Sequence, residues 1–115
     1  MTDQGRKQFV VMVQDYTDGE ALQRRMVARP KHLAMAEKAH ETGYILCGGA
    51  LFDSHENRKM IGSMMICQAH SEEELQEKIA QDPYVLGKVW EKWTIYPYRN
   101  AIGLEKELEG VEVIV

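Results

Sequence analysis

Residues 44–67, YILCGGALFDSHENRKMIGSMMIC, decide the fold, because they place two apolar runs directly after one another. The runs at residues 44–52 and 60–67 have the apolar composition of β-strands, and the polar residues 53–59 between them are typical of a turn. The segment therefore predicts a β-hairpin. The kind of sheet that this hairpin joins depends on the elements that flank it.

The sequence before the hairpin predicts two helices. Residues 20–28 have a helical composition, and Pro30 then interrupts the pattern, because proline lacks the backbone donor that an interior helical position needs. Proline is favoured at the first position of a helix, and glycine is common just after the last. A second and longer helix is therefore expected from Pro30 to Gly43.

The sequence after the hairpin predicts a helix at residues 72–80 and then a single helical turn. Ser71 and Glu74 form a capping-box pattern, in which the serine side chain and the glutamate three residues later satisfy free backbone amides. Asp82 repeats this logic ahead of a proline, which suits the first helical position. The short turn that follows is expected to end at Gly87.

Strands are predicted at both ends of this arrangement. Residues 8–14, QFVVMVQ, form a continuous apolar run that is typical of a central strand buried on both faces. Residues 89–98 are predicted as a fourth strand with aromatic side chains on both faces. The order βαββαβ predicts an α+β, ferredoxin-like protomer, in which two helices cover one face of a four-stranded antiparallel sheet.

The other face of this sheet would be left open, although its strands carry apolar side chains. An apolar face of that size needs a cover, and a second copy of the same sheet is the most economical one. We therefore expect a homodimer that is formed sheet against sheet.

A chain of 115 residues has room for one compact domain. We expect that domain at residues 8–100, preceded by an N-terminal extension at residues 1–7. The C-terminal extension at residues 101–115 ends in VEVIV at residues 111–115, an alternating pattern that predicts an added edge strand.

Charge and apolar patterning argue against several classes of partner. The net charge of −4 disfavours nucleic acid and anionic lipid as ligands. No apolar stretch approaches the length of a membrane span, and the polar start lacks a signal-peptide core, so a cytoplasmic protein is expected. Cys47 and Cys67 are too few and too far apart for a cysteine zinc site or a CxxC redox pair, and we expect reduced thiols.

His32 and Asp82 are candidates for acid–base chemistry. His32 falls in the first turn of the predicted second helix, where free amides and the positive helix end favour a neutral imidazole that can act as a base. The alternatives are an ordinary surface or hydrogen-bonded histidine and, for Asp82, a helix cap. His40 lies about 80° further round the helix, so the two histidines are not placed to share a metal, and no metal site is predicted.

Two further patterns are candidates for ligand contacts. Arg24, Arg25 and Arg29 form a basic cluster that is either an anion-binding patch or a solvated helix face. Gly48 and Gly49, in the second strand, permit a bulge or the close approach of a ligand or backbone.

Three motifs in this order resemble the YCII-related (YciI-like) family. They are LQRRMVARPKHL at residues 22–33, ETG at residues 41–43 with the strand up to Gly49, and DPYV at residues 82–85. The resemblance spans residues 9–100.

This resemblance implies a dimeric α/β barrel of ferredoxin-like protomers, with an active site built on a histidine and an aspartate that correspond to His32 and Asp82. It also implies a lyase or isomerase that acts on breakdown products of aromatic rings. One departure is Ala50, which stands where the family commonly has proline and changes the expected shape of the pocket.

Two classes of function stay open on these residues. In the first, His32 moves a proton on a small oxygenated substrate, Asp82 holds the imidazole tautomer, and no cofactor is needed. The remaining contacts to the substrate are assigned to Arg25, Arg29, Gly49 and Tyr84. In the second, the domain only binds a ligand or oligomerises, and the pair merely forms a hydrogen bond. A haem or flavin-free monooxygenase has less support, because nothing in the sequence marks a haem ligand or an oxygen-activating group.

Overall fold

The computed structural model describes residues 5–103, and these form a four-stranded antiparallel sheet with helices on one face. The elements are β1 Lys7–Asp15, α1 Ala21–Glu41, β2 Ile45–Phe52, β3 Met60–Ala69, α2 Glu72–Ala80, α3 Pro83–Leu86 and β4 Trp90–Tyr98. The strand order β2-β3-β1-β4 is that of the ferredoxin-like fold, so the predicted α+β class is confirmed. The edge strand predicted at residues 111–115 lies outside the described residues.

The first helix differs from the prediction, because α1 is one continuous helix with Pro30 as its tenth residue. Pro30 removes the backbone bond to the carbonyl of Met26, but both residues are exposed, so water can satisfy that carbonyl. A proline at an interior helical position costs about 3 kcal/mol, and α1 continues through it although only Ala21 and Arg25 of this helix are buried. His32 is therefore the twelfth residue of α1 and not in a first turn, so the argument from the helix end does not apply to it.

The core lies between the sheet and the helices, on one side of β1. Phe9, Val11 and Val13 are buried there, whereas Met12, on the opposite face of the strand, is 39% exposed. The prediction that this central strand is buried on both faces is therefore wrong for the single chain. The reason is that all three helices pack on the same side of the sheet. Tyr96 of β4, which pairs with Val10, is exposed on the same uncovered side as Met12.

The two predicted helix caps are present. The Ser71 hydroxyl accepts a hydrogen bond from the Glu74 amide at 3.1 Å, and Asp82 Oδ1 accepts one from the Tyr84 amide at 2.8 Å. The Glu74 carboxylate reaches one residue beyond the cap and accepts from the His70 amide at 2.9 Å. These bonds fix where α2 and α3 begin, and so they place Asp82 at the junction of the two helices.

The glycine pair of β2 allows a close approach but does not form a bulge. The irregularities of the β2–β3 pairing lie on either side of the pair, at residues 45–47 and 51–52. A Cβ atom on Gly48 would lie 3.1 Å from Met65 Cγ and 3.2 Å from the Met64 carbonyl oxygen, so β3 approaches this position closely. Gly49, in contrast, has open space on its Cβ side.

A glycine of β3 provides a test of this packing. We expect Gly62→Ala to lower the free energy of unfolding by about 1–3 kcal/mol, because the added methyl group would collide with the Val13 carbonyl oxygen of the neighbouring strand. Gly49→Ala is the matched control, since its methyl group would meet nothing within 4 Å. Urea unfolding measures both, and equal midpoints for the two variants would contradict the expected contact.

None of the helices within residues 5–103 is both long enough and apolar enough to cross a bilayer.

Candidate active site

His32 and Asp82, fifty residues apart in the chain, form a hydrogen-bonded pair. His32 projects from α1 and Asp82 caps α3, and His32 Nδ1 lies 2.8 Å from Asp82 Oδ1. Both side chains are only 12% exposed. An ionised carboxylate can only accept hydrogen bonds, so Nδ1 carries the proton and Nε2 of the neutral imidazole keeps a free lone pair. The pair therefore has the geometry of a base with an orienting carboxylate.

Aromatic contacts hold the imidazole ring in place. His32 stacks on Tyr84 with the ring centroids 3.9 Å apart and the planes at 17°. Trp90 meets both rings edge-on, with centroid distances of 5.4 Å. Tyr84 and Trp90 are almost completely buried, and burial raises the pKa of the Tyr84 hydroxyl, which keeps that group neutral. The stack and the Asp82 bond together leave the imidazole little freedom to rotate.

A network of polar side chains contacts the Tyr84 and Trp90 rings of this stack. Arg25 donates to Asp15 Oδ2 at 2.7 Å and to the Ser63 hydroxyl at 2.9 Å, and Trp90 Nε1 also donates to Ser63 at 3.2 Å. The Arg25 guanidinium lies 4.6 Å from the centroid of the Tyr84 ring. Burial raises the pKa of the Asp15 carboxyl, while the guanidinium beside it acts in the opposite direction. The positive charge of Arg25 is thus neutralised within the protein by Asp15.

A cavity of about 770 Å³ lies between α1 and the strands β2 and β3, with His32 on its wall. Five of the six residues assigned to the site from the sequence line this cavity: Arg25, Arg29, His32, Gly49 and Tyr84. The sixth, Asp82, lies behind His32 and lines a separate cavity of about 480 Å³ between α1 and α2. Asp82 is therefore placed to act on a ligand through the imidazole and not by direct contact.

The predicted basic cluster is divided by the structure. Arg24 forms a bidentate ion pair with Asp18 at 2.9 and 2.8 Å near the protein surface, and Arg25 is paired with Asp15. Arg29 is exposed at the cavity and forms no salt bridge with any residue in the range 5–103. Arg29 is thus the arginine whose charge is available to a ligand.

Several residues of the site were not found from the sequence. Asp15, Ser63 and Trp90 belong to the network under Tyr84, and no local pattern connects them. Glu37 and His40 line the same cavity as His32. Their spacing of five and eight residues places them about 140° and 80° round the helix from His32, so helical periodicity did not group them. No three His, Cys, Asp or Glu side chains in the described part of the chain are grouped as ligands of a metal ion.

The strand order and the single layer of helices define a ferredoxin-like α+β protein. The comparison with known families narrows this class to one family. The model of the YCII-related domain matches residues 8–99, and the chain belongs to this family. The family resemblance found in the three sequence motifs is thereby confirmed.

Two relatives are similar to the chain over most of its length. The chain is 36% identical over 84 residues to derivative of benzaldehyde biosynthesis cluster protein C of Emericella nidulans, which covers 68% of this chain and 86% of that protein. It is 32% identical over 96 residues to protein YciI of Escherichia coli O6:H1, which covers 80% of this chain and 96% of that protein.

A solved structure has the same fold. It is the 5-chloro-2-hydroxyhydroquinone dehydrochlorinase of Burkholderia phenoliruptrix in complex with 2,5-dihydroxybenzoquinone, with a TM-score of 0.69 and 23% sequence identity. The match covers 81% of this chain and 94% of that chain. At this level of identity the likeness is one of fold.

Proposed function

We propose that this protein is a cofactor-independent enzyme of the lyase or isomerase type, in which His32 and Asp82 move a proton on a small oxygenated ring compound. The observation that carries the proposal is the position of His32, whose Nδ1 is held 2.8 Å from Asp82 while the imidazole lines a cavity of about 770 Å³. A cavity of this volume is in the range that takes a small-molecule ligand.

In the proposed reaction, His32 Nε2 takes a proton from a C–H or O–H group of the substrate. Asp82 stabilises the imidazolium that forms, and the positive charge of Arg29 stabilises the oxygen of the substrate on which negative charge develops. An isomerase returns the proton to another atom of the substrate. A lyase expels a leaving group with its electron pair. Neither route changes the oxidation state of a protein group.

The names of related proteins support this class of substrate. The dehydrochlorinase of the same fold acts on a chlorinated hydroxyhydroquinone and was solved with a dihydroxybenzoquinone. The fungal relative is named for a biosynthetic cluster of benzaldehyde derivatives. Both names refer to oxygenated aromatic or quinonoid rings, which would fit between the Tyr84 and His32 stack and the flat wall that Gly48 and Gly49 provide.

Proton exchange in deuterated water tests the proposal without knowledge of the natural substrate. The protein is incubated with 2,5-dihydroxybenzoquinone and with chlorinated hydroxyhydroquinones, and NMR follows the loss of ring-proton signals while chloride release is measured in parallel. We expect exchange or chloride release faster than in buffer for at least one compound. If compounds of this panel bind but none reacts, the chain is the alternative, a non-catalytic ligand-binding domain.

We also propose that the protein is a homodimer formed through the uncovered face of the sheet, where Met12 is 39% and Tyr96 is 53% exposed. Light scattering is expected to give twice the chain mass of 13.2 kDa. Met12→Glu should shift the mass toward the monomer, because it places a charge in the interface. Val27→Glu, at a 71% exposed position of α1, should not. A wild-type monomer at all concentrations would refute the dimer.

The cysteines agree with a location in the cytoplasm, which is a further part of the proposal. Cys47 and Cys67 are both unpaired. Burial raises the pKa of the Cys67 thiol to about 12, so this group is an unreactive part of the core. Unpaired thiols are the usual state of cysteine in the reducing cytosol.

A further inference from the structure

The residues that α1 presents to the cavity change in charge along the helix. Arg25 and Arg29 lie toward its N-terminus, and Glu37, His40 and Glu41 lie at its C-terminal end. We call the second group the acidic end of the cavity. The helix dipole favours the opposite order, with acids near the N-terminus and bases near the C-terminus. This effect is confined to the first and last turns, so in α1 it disfavours the carboxylate of Glu41 and is small at Arg25 and Arg29.

Apart from Arg25, which is paired with Asp15, the charges at the two ends of the cavity are not neutralised within the described part of the chain. None of the salt bridges among residues 5–103 includes Arg29, Glu37 or Glu41. Arg25 is bonded to Asp15 and Ser63, so Arg29 is the cationic side chain at its end of the cavity that is left for a ligand.

His40 adds a third acceptor to the acidic end. His40 Nδ1 lies 2.8 Å from the Ile45 carbonyl oxygen, which can only accept a hydrogen bond. The proton of the neutral imidazole is therefore on Nδ1, and Nε2 keeps its lone pair, as in His32. The acidic end thus offers two carboxylates and one imidazole nitrogen, and all three accept hydrogen bonds. A group with several N–H donors and a positive charge, such as an ammonium group, complements this set.

The two ends lie far enough apart for two groups of one small molecule. Arg29 and Glu37, like His32 and His40, are eight residues apart, which corresponds to about 12 Å along the helix axis. Side chains of both pairs extend into the same cavity. A ring with a short amino-alkyl arm can reach from one end toward the other.

We propose that the ligand of this cavity is amphoteric: its oxygenated ring lies at His32 and Arg29, and an ammonium group on a short arm lies at Glu37, His40 and Glu41. This inference rests on the proposed function for the position of the ring. It adds a charged arm, which neither the fold nor the acid–base pair requires.

Three catechols that differ only in the arm test the proposal by calorimetry under anaerobic conditions. Dopamine carries an ammonium group, 4-ethylcatechol a neutral methyl group and 3,4-dihydroxyphenylacetate a carboxylate. We expect dopamine to bind about tenfold or more tightly than 4-ethylcatechol, as a charge-assisted hydrogen bond provides, and 3,4-dihydroxyphenylacetate to bind most weakly. Equal affinities, or no binding of any of the three, would overturn the proposal.

A pair of double variants separates the acidic end from the overall charge of the protein. In Glu37→Gln/Glu41→Gln the preference for dopamine over 4-ethylcatechol should disappear. Glu73→Gln/Glu77→Gln removes the same charge from α2, which does not line this cavity, and should keep the preference. A preference that persists in the first variant would show that the acidic end does not bind the arm.

Failure of this inference can be distinguished from failure of the proposed function. Ring-proton exchange with 2,5-dihydroxybenzoquinone, which has no ammonium arm, tests His32 alone. If the wild-type protein catalyses exchange but does not prefer dopamine over 4-ethylcatechol, only the amphoteric ligand is refuted. A dopamine preference without any exchange would support the ligand class and refute the enzyme.

Discussion

His32→Ala is expected to reduce ring-proton exchange on any reactive compound by about 10²–10⁴-fold, the usual contribution of a positioned acid–base group. The variant loses the Nε2 lone pair of a residue that lines the cavity, and no other group in contact with Asp82 can replace it. Exchange is measured by NMR in deuterated water, and circular dichroism confirms that the sheet and helices are retained.

His55→Ala is the matched control, because His55 is an exposed residue of the turn between β2 and β3 and does not line the cavity. It should exchange at the wild-type rate. Asp82→Asn should lose less than His32→Ala, since asparagine keeps an acceptor for the Tyr84 amide but cannot stabilise the imidazolium by charge. Wild-type exchange in His32→Ala would exclude His32 as the base.

Arg25→Met is expected to lower the free energy of unfolding by about 3–5 kcal/mol at neutral pH, because it leaves the Asp15 carboxylate buried without its counter-ion. Both side chains of this pair are buried, with 3% and 6% of their surface exposed. Arg24→Met is the matched control one residue away, where the ion pair with Asp18 is 31% and 50% exposed and should matter far less. Urea unfolding at pH 7 compares the two variants.

The loss of unfolding free energy in Arg25→Met should be smaller at acidic pH than at neutral pH. The guanidinium lowers the pKa of Asp15 against the raising effect of burial, so its removal raises the folded-state pKa further above the unfolded value of 3.8. A raised folded-state pKa favours the native state below the unfolded pKa, and that stability is lost as the pH rises through the folded pKa. The variant should therefore be closer to the wild type at pH 4 than at pH 7. An equal difference at both values would contradict the buried charge, and Asp15→Asn/Arg25→Met should recover part of the stability.

Local signals were sufficient for most of the secondary structure. The hairpin, α2 with its Ser71 cap and the turn capped by Asp82 were all predicted, because each depends on residues that are neighbours in the sequence. The same local reasoning failed at Pro30. A proline rule describes the cost of one missing donor at one position, and it does not decide whether the helix continues on both sides of that position.

The candidate site was predictable to a smaller extent. Residue types alone left His32 and Asp82 with ordinary explanations, and only the three family motifs paired them. The network of Arg25, Asp15 and Ser63 carried no signal at all, since its members are 10 and 38 residues apart and lie on a helix and two strands.

By itself, the sequence determined the order of the elements and hence the ferredoxin-like sheet, because hydrophobic periodicity and caps act over a few residues. Only the tertiary structure decided that α1 is unbroken, that Arg25 is neutralised by Asp15, and that His32 and His40 line one cavity. Such contacts arise where side chains distant in the chain are packed together, and their distances and burial set the chemistry that the residue types only permit.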